Sequence, residues 1–125
     1  MRIIEVSSQK SKQKILSTFV QQQELITKPD HKIIYLSEGR TILGFLIYYY
    51  YKQCIQILHI ETKSPFRQIG IASLLVEYLC YKFANSLMAI EFNERNLPLE
   101  KLLNKFGFVY SETQDNVYYR KKNPI

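Results

Sequence analysis

Arg67-Gln68-Ile69-Gly70-Ile71-Ala72 is the segment whose residue types and spacing could do chemistry. A strand-like apolar run, Ile55 to Thr62, leads into it, and an amphipathic helical run follows. A loop with a glycine where the backbone must approach closely, opening onto a helix, presents main-chain N–H groups to an anion. Such a site suits a phosphate or a pyrophosphate. Further along, Asn93 to Phe108 supplies a second strand–Asn–helix–Gly-Phe unit. Either unit alone is a weak signal; the ordered pair is a strong one.

These segments need elements to hold them. Arg2 to Val6 reads as a short first strand. Ser7 or Ser8 caps a helix whose stripe is Ile15, Leu16, Phe19 and Val20, and Lys28-Pro29-Asp30 breaks it. Lys32 to Leu36 and Thr41 to Tyr50 read as strands joined at Glu38-Gly39-Arg40. A turn near Tyr51-Lys52-Gln53 returns the chain as Cys54 to Thr62, which completes an antiparallel meander. The run Tyr48 to Tyr51 suits a half-buried pleated surface.

From Ile71 the period becomes helical. Ile71, Leu74, Leu75, Tyr78, Leu79 and Phe83 form one apolar stripe, with Glu77 and Lys82 outside it. Leu87 to Phe92 is a short buried strand. Pro98 fits the first turn of a helix with stripe Leu99, Leu102, Leu103 and Phe106, ended by Gly107 as its C′ residue. Val109 to Ser111 and Val117 to Arg120 make a last hairpin around Asp115-Asn116. This order predicts an α/β fold, a mixed sheet with helices on both faces.

The bulk numbers narrow the class. A chain of 125 residues fits a single domain, residues 1–125, with one packed core. Hydrophobic residues at 46% and charged residues at 22% suit a globular protein. No apolar run approaches the roughly 20 residues that span a bilayer. The N-terminus, Met1 to Val6, is too short and too acidic for a secretory signal, so a cytoplasmic protein without a membrane partner is expected. Cys54 and Cys80 sit in apolar contexts without a CxxC, and read as buried free thiols. His31 and His59 lack Cys or His partners at metal-ligand spacing, so no metal is expected. The net charge of +6 favours anionic partners: a nucleotide-like cofactor, an acidic substrate or nucleic acid.

The two ordered units resemble the GNAT superfamily of N-acetyltransferases. Arg67 to Ala72 is similar to that family's Q/R-x-x-G-x-G/A acyl-CoA loop. Glu91-Phe92-Asn93-Glu94-Arg95-Asn96, with Leu102-Leu103-Asn104-Lys105-Phe106-Gly107-Phe108, resembles its second motif. The likeness is close over residues 54 to 108 and loose elsewhere. It implies a mostly antiparallel sheet of six to seven strands flanked by three to four helices. Acetyl-CoA would be the co-substrate and a primary amine on a small molecule or protein the acceptor, in a monomer or homodimer.

The resemblance also assigns residues. Arg67, Gln68, Ile69, Gly70, Ile71 and Ala72 would grip the pyrophosphate, with Asn96 contacting the cofactor. Ile60, Glu61 and Thr62 would splay from the next strand, pair with the pantetheine arm and polarise the thioester carbonyl. Glu91 holds the position of the catalytic base in the branch that acetylates protein N-termini; its apolar flanks, Ile90 and Phe92, suggest partial burial. His59 and Glu61, on one strand face, are reserve candidates. Leu103 stands where the family has a Tyr that protonates the thiolate; it also completes the helix stripe, and Tyr110 is a possible substitute. Three readings follow: an N-acetyltransferase, a degenerate domain that binds CoA or a partner without turnover, and an enzyme acetylating aminoacyl-tRNA. No basic–aromatic stripe supports the third, which ranks last.

Overall fold

Alternate residues of the central strands feed two separate cores, one on each face of a sheet. In the computed structural model, the described residues are 1–19, 28–63, 70–91 and 97–120. The strands are β1 (Arg2–Val6), β2 (Lys32–Glu38), β3 (Thr41–Tyr51), β4 (Cys54–Thr62), β5 (Leu87–Glu91), β6 (Val109–Tyr110) and β7 (Val117–Arg120). The helices among the described residues are α1 (Gln9–Leu16), α2 (Ile71–Lys82) and α3 (Leu97–Lys105). The seven strands lie in the order β1-β2-β3-β4-β5-β7-β6. Among the described residues only the β4–β5 pairing is parallel, so the fold is the mostly antiparallel α/β sheet that the family resemblance implies.

Ile34, Leu36, Leu46 and Tyr48 point into the larger core, with Leu75, Leu79 and Leu103 from α2 and α3. Ile33, Phe45 and Ile47 point the other way, onto Ile15, Leu16 and Phe19 of the α1 region. That is the period-2 alternation of a sheet covered on both faces. Among the described residues, the α1 region packs on Ile33 of β2 and on Phe45 and Ile47 of β3, with Val6 of β1 at the edge.

Local chemistry sets the boundaries. Ser8 caps α1, its side chain accepting from the Ser11 amide at 3.2 Å. α3 ends in a Schellman pair, Phe108 N to Leu103 O at 2.9 Å and Gly107 N to Asn104 O at 3.1 Å, with Gly107 at φ 86° as the expected C′ residue. The β3–β4 turn places Lys52 and Gln53 at φ 51° and 62°, the primed geometry that matches strand twist. β2 runs two residues past the expected Leu36, and β6 stops at Tyr110, short of the expected Ser111.

Two features of the helices are not visible in the apolar stripes. Leu74 is 39% exposed, whereas Val76 and Cys80 are buried with Ile71, Leu75 and Leu79. The apolar sector of α2 is wide, and the sheet meets its 75/76/79/80 side, leaving Leu74 at the rim. Lys12 is fully buried; its ammonium donates to the carbonyls of Lys28 at 2.8 Å and His31 at 2.7 Å. The long stem fills the core while the charge is satisfied by main chain, which clamps α1 to the turn before β2. On the other face of the sheet, Glu5 accepts from Tyr48 and from Lys82 at 2.6 Å, joining β1, β3 and the end of α2. Burial raises the pKa of Glu5, but these two hydrogen bonds outweigh it and hold the carboxyl below its usual range.

Candidate active site

β4 and β5 pair in parallel only from Cys54–Leu87 to Ile57–Ile90, yet β4 continues along β3 to Thr62. The register against β3 shifts where Ile47 faces His59 and Tyr48 faces Ile57, which leaves Leu58 as the extra residue of a bulge. Bulges bend a strand and add twist. The β4–β5 ladder thus ends at Ile57 and Ile90, while β4 runs on along β3 with an added bend; the residues after Glu91 that the expected splay also concerns lie outside the described residues.

Between the end of β4, the start of α2 and α3 lies a cleft of about 630 Å³. Ile60, Glu61 and Thr62 form one wall; Gly70, Ile71, Ala72 and Ser73 form another, and Pro98, Leu99 and Leu102 of α3 close the third. Six of the residues expected to bind cofactor thus meet at one place. Gly70 is the N-cap of α2, at φ 87° and ψ 14°, with no side-chain capping bond. That conformation favours glycine. The first bond into α2 runs from Leu74 N to Gly70 O, so the amides of residues 71–73 have no acceptor within the helix. A Cβ built on Gly70 would meet nothing within 4 Å, so its side of the cleft is open space. Arg67, Gln68, Ile69 and Asn96 lie outside the described residues, as do Val20, Phe92 and Asn93.

Gly44 sits under two of the lining residues, Glu61 and Ile71, and the sequence reading missed it. A Cβ there would lie 2.8 Å from the Glu61 carbonyl oxygen and 2.8 Å from Cγ2 of Ile71. The missing side chain thus lets the end of β4 and the start of α2 come together over β3. The available signal was a glycine inside the apolar strand run Thr41 to Tyr50, which often marks a close approach. Gly44→Ala is expected to cost ~1–3 kcal/mol of stability by overpacking. Adding Ile71→Ala should restore part of this, because it relieves the helix contact and not the carbonyl contact. Calorimetric melting of the two variants checks this; an unchanged midpoint for Gly44→Ala would remove the role.

Glu91, the proposed base, is the last residue of β5, opposite Val117. It is exposed, which corrects the expected partial burial. Ala89 and Glu91 point to the α1 face, and α1 does not extend over β5. His59 and Glu61 share that face on β4, as read from the sequence, with His59 Nε2 3.8 Å from Glu61 Oε1. His59 packs on Phe45 with ring centroids 5.6 Å apart. Burial pushes the imidazole pKa below its usual value despite the Glu61 carboxylate, so the ring is neutral at pH 7.

Leu103 is fully buried in the larger core, so its side chain is packing material. Tyr110, the suggested substitute, is on the outer strand β6, where its hydroxyl accepts from the Asn116 amide at 3.0 Å. No tyrosine lines the cleft among the described residues. Nor do the described residues contain a group of three or more His, Cys, Asp or Glu side chains able to hold a metal. No described helix is long and apolar enough to cross a membrane.

A seven-stranded mixed sheet in which the end of β4 meets a helix start without a side-chain cap is an acetyltransferase-type arrangement. A sequence model of the acetyltransferase (GNAT) family matches residues 3–108, and the chain belongs to that family of acyltransferases. No curated protein sequence matches the chain. Among solved structures, Tetrahymena GCN5 superposes with a TM-score of 0.72 at 8% identity, covering 100% of this chain and 98% of that one. The ribosomal-protein-S18-alanine N-acetyltransferase of Escherichia coli gives 0.70 at 13% identity, covering 99% and 96%. PaiA N-acetyltransferase of Thermoplasma acidophilum, in complex with coenzyme A, gives 0.65 at 16% identity, covering 97% and 99%. At these identities the likeness speaks for the fold alone.

Proposed function

We propose that this protein is an acetyl-CoA-dependent N-acetyltransferase that moves the acetyl group directly to a primary amine. The observation that carries the reading is the cleft between the end of β4 and the start of α2, which has no side-chain cap. Its residues fit the coenzyme: main-chain donors and open space at Gly70 for a pyrophosphate, and apolar side chains of Ile60, Ile71, Leu99 and Leu102 for the acyl-pantetheine arm. Charge-assisted hydrogen bonds contribute roughly 1.5–3 kcal/mol each, and the helix end roughly 0.3–1 kcal/mol more.

Bound acetyl-CoA supplies a thioester whose C–S bond is exchanged for an N–C bond to the amine, coenzyme A leaving as the thiolate. In this reading the amides of residues 70–73 and the charge of Arg67 hold the diphosphate, and Asn96 touches the cofactor. The β5-facing edge of β4 at Ile60 aligns the arm and polarises the carbonyl. Glu91 takes the proton from the attacking nitrogen. Its exposure at the end of β5 suits a base that works on a solvated amine, directly or through one water. A thiol pKa of about 8.5 makes the thiolate a tolerable leaving group near neutral pH, so turnover does not require a tyrosine at position 103. Two free, buried thiols, Cys54 and Cys80, fit a cytoplasmic setting.

The burial of Leu103 favours a second reading, a domain that binds coenzyme A without turnover. A transfer assay with acetyl-CoA and a panel of peptide, lysine and diamine acceptors separates the two. Acetylated product from any amine is expected. Thermal stabilisation by coenzyme A with no product from any amine would establish the second reading.

A further inference from the structure

The positive charge of this chain is gathered at one pole of the sheet. The cofactor cleft lies at the other pole, where β4 finishes and α2 and α3 begin. Away from it lie the end of β1, the start of β2, the β3–β4 turn and the start of β5. The ends of α2 and α3 reach the same pole. Phe83 packs on Tyr48 with ring centroids 5.5 Å apart, and Arg120, opposite Met88, donates from Nε to Phe106 O at 2.9 Å.

Exposed lysines come to this pole from four segments: Lys10 early in α1, Lys28 and Lys32 around the start of β2, Lys52 in the turn and Lys105 at the end of α3. The described acids there are Asp30 and Glu5, and Glu5 is already paired with Lys82. Glu38, Glu91, Glu112 and Asp115, all exposed, sit at the cleft pole instead, with Glu77 midway along α2. A basic surface facing away from the cleft does not serve to steer an anionic cofactor into it.

Aromatic rings stand among these lysines. β2 starts with Lys32 opposite Tyr48, so the β3–β4 hairpin projects beyond it. The His31 ring stacks on Tyr49 at 4.9 Å, but Tyr50 and Tyr51 are 60% and 54% exposed. Lys52 Nζ lies 5.2 Å from the centre of the Tyr51 ring. Tyr81, in the last turn of α2, is 87% exposed. No single segment of the sequence carries a basic–aromatic stripe; the fold assembles one from segments far apart in the chain.

We infer that this pole binds a single-stranded nucleic acid, with bases stacked on Tyr50, Tyr51 and Tyr81 and phosphates held by the surrounding lysines, a function that does not depend on the acetyltransferase reading. The sign of the charge matches a phosphate backbone, and exposed rings offer faces on which any base can stack. Stacking needs unpaired bases, which selects a single strand over a duplex. A membrane surface would need aliphatic side chains to insert, whereas the apex of the hairpin is Tyr50-Tyr51-Lys52-Gln53.

The test is fluorescence anisotropy with a labelled oligouridine of about twelve nucleotides. It is set against the same strand in a duplex with oligoadenosine, polyglutamate, and vesicles of phosphatidylcholine with phosphatidylserine. Saturable binding to the single strand is expected, weakening as salt rises. Replacing both tyrosines, Tyr50→Ala with Tyr51→Ala, should weaken it by about tenfold or more. Lys52→Glu should weaken it and make the salt dependence shallower. Arg40→Glu makes the same charge change at the β2–β3 turn of the cleft pole, and should leave the affinity within about twofold. All four side chains are exposed, so folding is not at stake. Saturating coenzyme A should not displace the strand. Absence of saturable binding, indifference to the loss of both tyrosines, an equal loss in Arg40→Glu, or displacement by coenzyme A would overturn this site. So would equal or tighter binding of the duplex, the polyglutamate or the vesicles.

Discussion

Gly70→Asp is expected to weaken coenzyme A binding by at least about 100-fold while the fold survives. Two effects act in one direction. The carboxylate would project into the open space where a diphosphate is proposed, replacing attraction to helix-start amides with repulsion between anions. It would also deny the ligand close approach to the main chain; losing two charge-assisted hydrogen bonds alone is worth ~3–6 kcal/mol. The fold should tolerate the change because a Cβ at position 70 meets nothing within 4 Å. The remaining cost is the positive φ of 87°, and Asp and Asn are the residues that bear such a conformation best. Gly70→Asn is therefore the matched control. It should weaken binding by only about tenfold, since it adds the bulk without the charge. Titration calorimetry on both variants reads the difference. Equal affinities for Asp and Asn would mean that no anionic group sits at this corner.

Glu91→Gln is expected to lower kcat by about 100-fold, the lower end of general-base effects, because the carboxylate is exposed and not held in a dry pocket. The loss should depend on the acceptor. A lysine side chain, with pKa near 10.4, needs help more than an α-amino group at about 7.7–8.0. Below the pKa of the amine, its neutral fraction rises with pH. A variant without a base depends on that fraction alone, so its deficit should shrink as pH climbs toward the amine's pKa. The wild-type enzyme should show a flatter dependence. Superimposable pH–rate profiles for enzyme and variant would acquit Glu91, and the neutral His59 beside Glu61 would then be the side chain to replace next.

What was readable in the sequence follows from how local each signal is. Gly70 before an apolar helical run and Gly107 after one are punctuation, and the backbone obeys it at both places. The meander from Lys32 to Thr62 was legible because tight turns at Gly39 and at Lys52-Gln53 interrupt β-rich runs. Other features depend on residues remote in sequence. Lys12 reads as a surface residue of a helix until the turn at Lys28–His31 brings it two carbonyls. Gly44 reads as a flaw in a strand until Ile71 arrives above it. The place of β7 between β5 and β6 is a property of sheet order and not of any single segment. The residues proposed to touch the cofactor are thus mostly a local matter.

The measurement that bears most directly on the central claim is a coenzyme A titration followed at the backbone amides of Gly70, Ile71, Ala72 and Ser73. The expected result is saturable binding with the largest shifts at these four N–H groups, and the loss of those shifts in Gly70→Asp. Saturable binding that leaves these amides unmoved, or no binding at all, would contradict it.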